Sequence, residues 1–472
     1  MLPRVSLGLL ALALASLATP LVHAAGQLFS GPLLGYQTHR EVAIWLETEN
    51  AREVSLTYTR ADLPPDTAAD SPAARPVTVT LPAPAPMPAG GQPMKFILGP
   101  LEMGARYTYT LAIDGEPAPR PYPLGFRTTL QHEFRGAAPD FSFLLGSCAY
   151  FNEPPYDRPG RPYGSDSTIW TPMAASGADF MLWLGDNTYL READFSSTSG
   201  IWHRYRHDRA TTNLQPFLAA MPHYASWDDH DYGPNNANRS YHLKDVTRAA
   251  FTAYWPNPSA GSASDPAAIF TRLQWADAQF ILLDNRTHRD DSTVPDTDAY
   301  HKSQYGRAQL EWLKQQLAIR NEGGARRHLK LTFIATGSQF LSERFYPGSE
   351  DHARYPAERE EIIEFIRANK IGGVVFLSGD VHYTEVMRRD GKLPYPLYEF
   401  TSSALTAGAH TGKLPEDAGR LLAVQQNNYS RIAVSGPPDA RVLLFTTHDP
   451  AGAELGRVSV NVADLAWPAE PK

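Results

Sequence analysis

The stretch that most restricts the fold is Asp179–Tyr189. In it the apolar run Phe180 to Leu184 ends in Gly185-Asp186-Asn187-Thr188-Tyr189. A short apolar run closed by glycine reads as a strand buried on both faces. Open α/β sheets place their chemistry just beyond the carboxyl ends of such strands. Asp186 and Tyr189 fall there, close enough for a carboxylate and a phenol to converge on one ion. For a single motif, an Asx turn after a strand would be the simpler account. The pattern recurs, however. Phe141–Leu145 leads into Gly146-Ser147-Cys148, and His223–Trp227 into Asp228-Asp229-His230-Asp231. Phe280–Leu283 leads into Asp284-Asn285-Arg286, Leu331–Ala335 into Thr336-Gly337-Ser338-Gln339, and Val374–Leu377 into Ser378-Gly379-Asp380-Val381-His382. A structural protein has no need to end so many strands in metal-capable side chains.

The chain of 472 residues is too long for one ordinary core, so two domains are expected. Residues 26–130 hold short alternating strands, such as Val54–Thr59 and Tyr107–Ile113, separated by turn clusters, which suggests an immunoglobulin-like β domain. Residues 131–140 read as a linker. From 140 to 470, strands alternate with helical patterns at Gln309–Leu317 and Glu358–Ala368, an α/β layout closed by a hairpin near Arg441–Thr447 and Arg457–Val462. Arg191–Tyr205 and Pro234–Tyr254 read as long connections forming rims or lids. The Arg/His-rich segment Arg191–Arg209 is either a determinant of specificity or a solvated face.

Residues 1–24 read as an export signal: Arg4, an apolar region Leu7–Leu17, and Val22-His23-Ala24 before the cleavage point. The expected location is therefore periplasmic or secreted, with no transmembrane segment after signal removal. A formal net charge of −8 argues against a nucleic-acid surface. An anionic substrate would need local positive charge, which bound metal ions supply. Cys148 is the only cysteine, so it is either a small buried residue or a ligand.

Taken in order, Gly146-Ser147-Cys148, Gly185–Tyr189, Trp227–Asp231 and Ser378–His382 resemble the motifs of the PhoD-like alkaline phosphatases, metallophosphoesterases related to purple acid phosphatases. The resemblance runs from about residue 28 to the C-terminus. It implies a metallophosphoesterase-type αββα sandwich behind an immunoglobulin-like domain. It also implies a metal centre in which Cys148, Asp186, Tyr189 and His382 hold Fe3+, while Asp186, Asp229 and Asp380 hold Ca2+. A thiolate, a carboxylate and a phenolate suit a trivalent ion, and oxygen-rich ligands a hard divalent one. In that scheme a metal-activated water attacks phosphorus. His230 protonates the leaving oxygen, Arg286 forks onto a phosphate oxygen, and Asn187 donates a hydrogen bond to substrate. Asn285-Arg286-Thr287-His288 departs from the family's usual Asp-Thr-Arg order. Asp231 is expected to cap a turn, Trp227 to pack in the core, and Asp284 to fix the geometry around Arg286.

The expected function is an exported phosphoric ester hydrolase, monomeric, acting on small phosphomonoesters or phosphodiesters. The alternatives are a phospholipase D-like phosphodiesterase acting on phospholipid headgroups and a non-catalytic envelope-binding protein.

Overall fold

The computed structural model describes residues 24–68, 71–165, 167–319, 329–344 and 349–468; the expected export signal, Ala24 apart, lies outside them. Among the described residues, no helix is long and apolar enough to cross a membrane.

The N-terminal region is all β. Strands Gln27–Gln37, Val42–Glu49 and Gln92–Leu98 form one antiparallel sheet. Val77–Pro82, Glu53–Arg60, Arg106–Ile113 and Glu116–Pro117 form another, with Gly125–Arg127 paired to Arg106–Ile113. Side chains alternate across a strand. Thus Tyr107, Tyr109, Leu111 and Ile113 enter a core shared with Val42, Ile44, Leu46 and Phe96 of the facing sheet, while Arg106, Thr108 and Thr110 face outward.

From Phe141 onward the chain builds two mixed sheets. The first runs His223–Ser226, Phe180–Leu184, Phe141–Gly146, Tyr429–Ser435, Val442–His448, Glu454–Asn461. Its first three strands are parallel and the rest antiparallel. The second runs Thr271–Trp275, Ala278–Leu282, Leu331–Ala335, Val374–Ser378, Leu397–Thr401, Thr384–Arg389, Arg420–Val424, with parallel pairing from Ala278–Leu282 to Leu397–Thr401. The sheets share one core. Phe143 stacks on Phe180 with centroids 5.1 Å apart, and both present edges to Phe280 of the opposite sheet. Such aromatic pairs each add about 0.5–1.5 kcal/mol beyond their burial.

The continuous apolar runs follow from burial on both faces. Leu182 and Leu184 face the second sheet, whereas Met181 and Trp183 face a separate core under helices Trp170–Ala175, Thr198–Arg209, Gln215–Ala220 and Lys244–Tyr254. Helices Arg307–Ala318 and Pro356–Ala368 cover the second sheet through Leu310, Leu313, Ile362 and Ile366.

Two expectations need correction. The segments read as long connections contain the helices Thr198–Arg209 and Lys244–Tyr254. Ser197 caps the first by accepting from the Gly200 N–H, and Ile201, Trp202 and Tyr205 anchor it in the core. The arginines of this helix form neither a solvated face nor a specificity surface as a group. Arg204 is fully buried and pairs with Glu153 and Asp194 at 2.8 Å each, and with Asp208 at 3.5 Å. Arg209 lies under the rings of Trp255 and Trp45, at 4.0 and 5.3 Å. The polar composition hid a core helix whose charges are internally matched.

The same helical layer receives the N-terminal sheet. Trp45 donates its indole N–H to the Ala253 carbonyl at 2.8 Å, Gly31 N–H donates to Gln215 Oε1 at 2.7 Å, and Glu47 pairs with Arg206 at 3.1 Å. Leu33 and Trp45 belong to the helical core rather than to the N-terminal one. Replacing Trp45 by Ala is expected to cost about 3–5 kcal/mol of unfolding free energy. A chemical denaturation midpoint unchanged from wild type would contradict this account of the contact.

Candidate metal centre

Cys148 follows strand Phe141–Gly146, Asp186 follows Phe180–Leu184, and Asp229 follows His223–Ser226. These strands are adjacent and parallel, so the three residues share one edge of the first sheet. Asp380 and His382 follow Val374–Ser378 and arrive from the second sheet. Cys148, Asp186, Asp380 and His382 all have left-handed backbone, with φ of 60°, 51°, 67° and 59°. Non-glycine residues rarely adopt this conformation, and its cost persists only where surrounding structure enforces it. Two glycines allow the approach. A Cβ on Gly185 would lie 2.6 Å from Asp228 Cβ, and one on Gly379 2.5 Å from Ser147 Cβ.

The ligand-capable atoms of Cys148, Asp186 and His382 all lie within 4.8 Å of one another, as do those of Asp186, Asp229 and His230. Asp186 belongs to both groups. Its Oδ2 accepts from the Tyr189 hydroxyl at 3.1 Å and lies 3.7 Å from Cys148 Sγ. Its Oδ1 faces the other way and accepts from the His230 N–H at 3.2 Å. Tyr189 Oη lies 3.3 Å from His382 Nε2. His382 Nδ1 donates to the Gly408 carbonyl at 2.6 Å, which orients the ring with Nε2 toward the cluster. Asp229 accepts the Asn236 N–H at 2.6 Å. Asp380 lines the same cleft, about 540 Å3 in volume, beside Glu350 and His410.

The charges do not balance without a cation. Burial raises Asp186 and Asp380 well above the ordinary carboxylate range, and neighbouring carboxylates raise them further. Burial also opposes ionisation of Asp229, but His230, Arg286 and the Asn236 N–H outweigh it and hold this carboxyl low. Burial pushes the Cys148 thiol up, yet His382 and the hydroxyls of Ser147 and Ser403 bring it below its usual value. Burial would lower His382, but the charge of Cys148 and hydrogen bonding to it raise the imidazole to about 9. Burial lowers His230, with Asp229 and Glu350 only partly offsetting it.

This donor set fits a metal centre. Several carboxylates, a thiol, a phenol and two imidazoles converge, while His230 Nδ1 and Asn187 Oδ1 are buried without hydrogen-bond partners. Buried like charges of this density are stable only when neutralised by protons or by a cation.

The surroundings of Arg286 differ from expectation, and Asn187 and Gln339 are bonded to neighbouring protein groups. Arg286 is fully buried and bonded to Asp228, to Glu350 at 2.6 Å and to the Ala237 carbonyl at 3.2 Å. Its fork is engaged by protein groups, so it acts on the carboxylates behind the cleft rather than on a phosphate oxygen. Asn187 donates one amide N–H to the Ser226 carbonyl at 2.6 Å, and its acceptor Oδ1 is buried without a partner. Gln339 donates to Glu385 and Thr401 and remains buried behind the site. Asp231 behaves as the capping residue expected, accepting the N–H groups of Asp228, Asn187 and Thr188. Trp227 packs against Phe251 and donates to Asp284, which also accepts the Arg286 N–H.

Sequence reasoning missed Ser403, whose hydroxyl donates to Cys148 Sγ at 3.1 Å and accepts the His382 N–H at 3.0 Å. It sits just past strand Leu397–Thr401, where the strand-end rule could have found it. It also missed Glu350, which lies on an irregular connection with no periodic signal.

The protons on this site set a pH dependence. A raised folded-state pKa contributes stability that is fully present below the ordinary value and lost as pH rises through the shifted one. The raised His382 loses its contribution between 6.5 and about 9, but the lowered Cys148 paired with it gains over the same range, so the net loss with rising pH comes from the raised Asp186 and Asp380. Metal-free protein is therefore expected to lose stability as pH rises, and to lose more than metal-loaded protein does. Melting temperatures of the two forms at pH 6.5 and 9 check this, and a gap independent of pH would contradict it.

Comparison with known proteins agrees with the motifs. A family model described as PhoD-like phosphatase matches residues 143–449. Alkaline phosphatase D of Bacillus subtilis (strain 168) is 24% identical over 385 residues, a match spanning 68% of this chain and 62% of the relative, less than two thirds of its length. Among solved structures, that of PhoD superposes with a TM-score of 0.70 at 19% identity, covering 92% of this chain and 89% of that one. Purple acid phosphatase PPD1 from yellow lupin (Lupinus luteus) seeds gives 0.61 at 12% identity, covering 93% and 74%. At these identities the two structures establish a shared mixed α/β fold. The family match contains every strand end described above, and the chain belongs to the PhoD-like phosphatase family.

Proposed function

We propose that this chain is a metal-dependent phosphoric ester hydrolase, exported by way of residues 1–24. It would act as a monomer built of an immunoglobulin-like domain (26–130) and a metallophosphoesterase domain (140–470). The observation that carries the reading is Asp186, whose two carboxylate oxygens face two groups of ligand-capable atoms at the converged strand ends. Cys148, Asp186, Tyr189 and His382 would hold Fe3+, and Asp186, Asp229 and Asp380 would hold Ca2+. When bound, such ions supply charge for phosphoryl oxygens and make a water acidic enough to attack phosphorus.

The chain's own residues have distinct tasks. Ser403 and Ser147 donate to, or lie against, the Cys148 sulfur and stabilise its thiolate. The Gly408 carbonyl orients His382. Arg286 and the Asn236 N–H keep Asp229 ionised. In hydrolysis a water oxygen joins phosphorus, the ester P–O bond breaks, and the departing oxygen gains a proton. His230 lines the cleft and, when protonated with Asp229 and Glu350 favouring its charge, would give its proton to that oxygen and return to neutral imidazole. Ser147 is buried and donates to the Ser402 carbonyl, so no serine nucleophile is invoked.

One observation favours a second role for His230. Its ring nitrogen falls within the Asp186–Asp229 group, where it would serve as a ligand. A purely envelope-binding role has less support, because an open acidic cleft of about 540 Å3 and a polarised histidine have no use in a scaffold. Small phosphate esters and phospholipid headgroups are the substrate classes considered.

Asp186→Ala is expected to lose metal and hydrolysis of a chromogenic phosphate ester together, measured by elemental analysis and turnover; full activity would overturn the assignment. His230→Ala is expected to lower kcat by about 10²–10⁴ with metal content near wild type. Loss of metal in that variant would assign His230 as a ligand.

A further inference from the structure

A second cavity, of about 680 Å3, adjoins the metal cleft. The two share Tyr163, His230 and Asn235, so these residues stand where the cavities meet. Their linings differ in chemistry. The cleft is walled by Asp186, Asp229, Glu350 and Asp380. The second cavity is walled by the rings of Tyr163 and Phe195, by Pro159 and Pro234, by Arg158 paired to Glu192 at 2.6 Å, and by the exposed Arg161.

The ring of Tyr163 is almost half exposed, although it packs edge-on against Tyr150 at 4.9 Å and near Tyr189 at 6.3 Å. It is thus a rigid ring backed by other rings, with one side open. Phe195 is half-buried across the same cavity. Exposed aromatic faces beside planar guanidinium groups bind flat unsaturated groups by stacking, and offer donors to any oxygen those groups carry.

His230 connects this cavity to the chemistry. It stacks on Tyr189 with centroids 4.3 Å apart and lines both cavities. Resting on the phosphoester hydrolase reading, in which His230 serves the departing oxygen, we infer that the second cavity is the leaving-group subsite. It selects esters whose leaving group is a planar aromatic ring. Phe195 and Arg161 are specificity residues there, and both lie outside the candidate ligand set.

The test compares kcat/KM of the metal-loaded full chain for 4-nitrophenyl phosphate and for glycerol 2-phosphate. Intrinsic reactivity cancels when wild type and variant are compared on one ester. Phe195→Ala and Arg161→Ala are each expected to lose about tenfold on the aryl ester and less than twofold on the glycerol ester. Equal losses on both esters, or no loss on either, would overturn the subsite while leaving hydrolysis established. If wild type cleaves neither ester, the hydrolase reading fails and takes the subsite with it. A measurement without turnover accompanies the kinetics: saturation-transfer NMR of 4-nitrophenol with metal-free protein. Transfer in wild type that disappears in the variants is expected, and transfer unchanged by both would overturn the subsite. Should Phe195→Ala fail to fold, Arg161→Ala, at an exposed position, decides alone.

Discussion

The mutual repulsion of buried carboxylates at the sheet ends is the constraint on which the rest of the site depends. Asp186, Asp228 and Asp229 are almost fully buried, Asp380 is partly so, and Arg286 is buried against Asp228. Like charges this close would otherwise drive the strand ends apart or hold protons. Arg286 offsets part of the excess from behind, through Asp228 and Glu350. The remaining negative charge faces the cleft, where a cation fits. Left-handed backbone at four of the ligand-capable residues belongs to the same arrangement, because strain is retained where function needs side chains aimed inward.

The supporting architecture keeps that edge rigid. Phenylalanines 143, 180, 280 and 333 lock the two sheets face to face, so the carboxyl ends of parallel strands from both sheets meet at one place. On the outer face, the helix carrying Arg204 is tied to Glu153 and Asp194 on the loops that also border the second cavity. The N-terminal sheet leans on this helical layer through Trp45 and Glu47, which connects the β region to the site without contributing a residue to it.

Much of this was legible in the sequence, for a physical reason. Strands buried on both faces read as unbroken apolar runs, and Phe180–Leu184 and Val374–Ser378 therefore identified themselves. The residues after such a run are where an open sheet exposes its chemistry, and Cys148, Asp186, Asp229, Asp380 and His382 all fall there. What failed depended on distant partners. Arg286 had every attribute of a phosphate fork, but its role is decided by Glu350, 64 residues later on an irregular connection. The helix Thr198–Arg209 was masked by arginines whose charges are matched internally. Tyr163 and Phe195 carried no periodic signal, since cavity walls on loops are set by packing.

The most direct test of the central claim is the elemental composition of the purified protein, read together with its visible absorption. Iron and calcium bound to the same chain, with a charge-transfer band that Tyr189→Phe shifts or removes, is the result expected of a phenolate, thiolate and carboxylate centre bridged by Asp186. A protein that retains no metal, even after reconstitution, would contradict the account, because the buried carboxylates would then be held by protons alone.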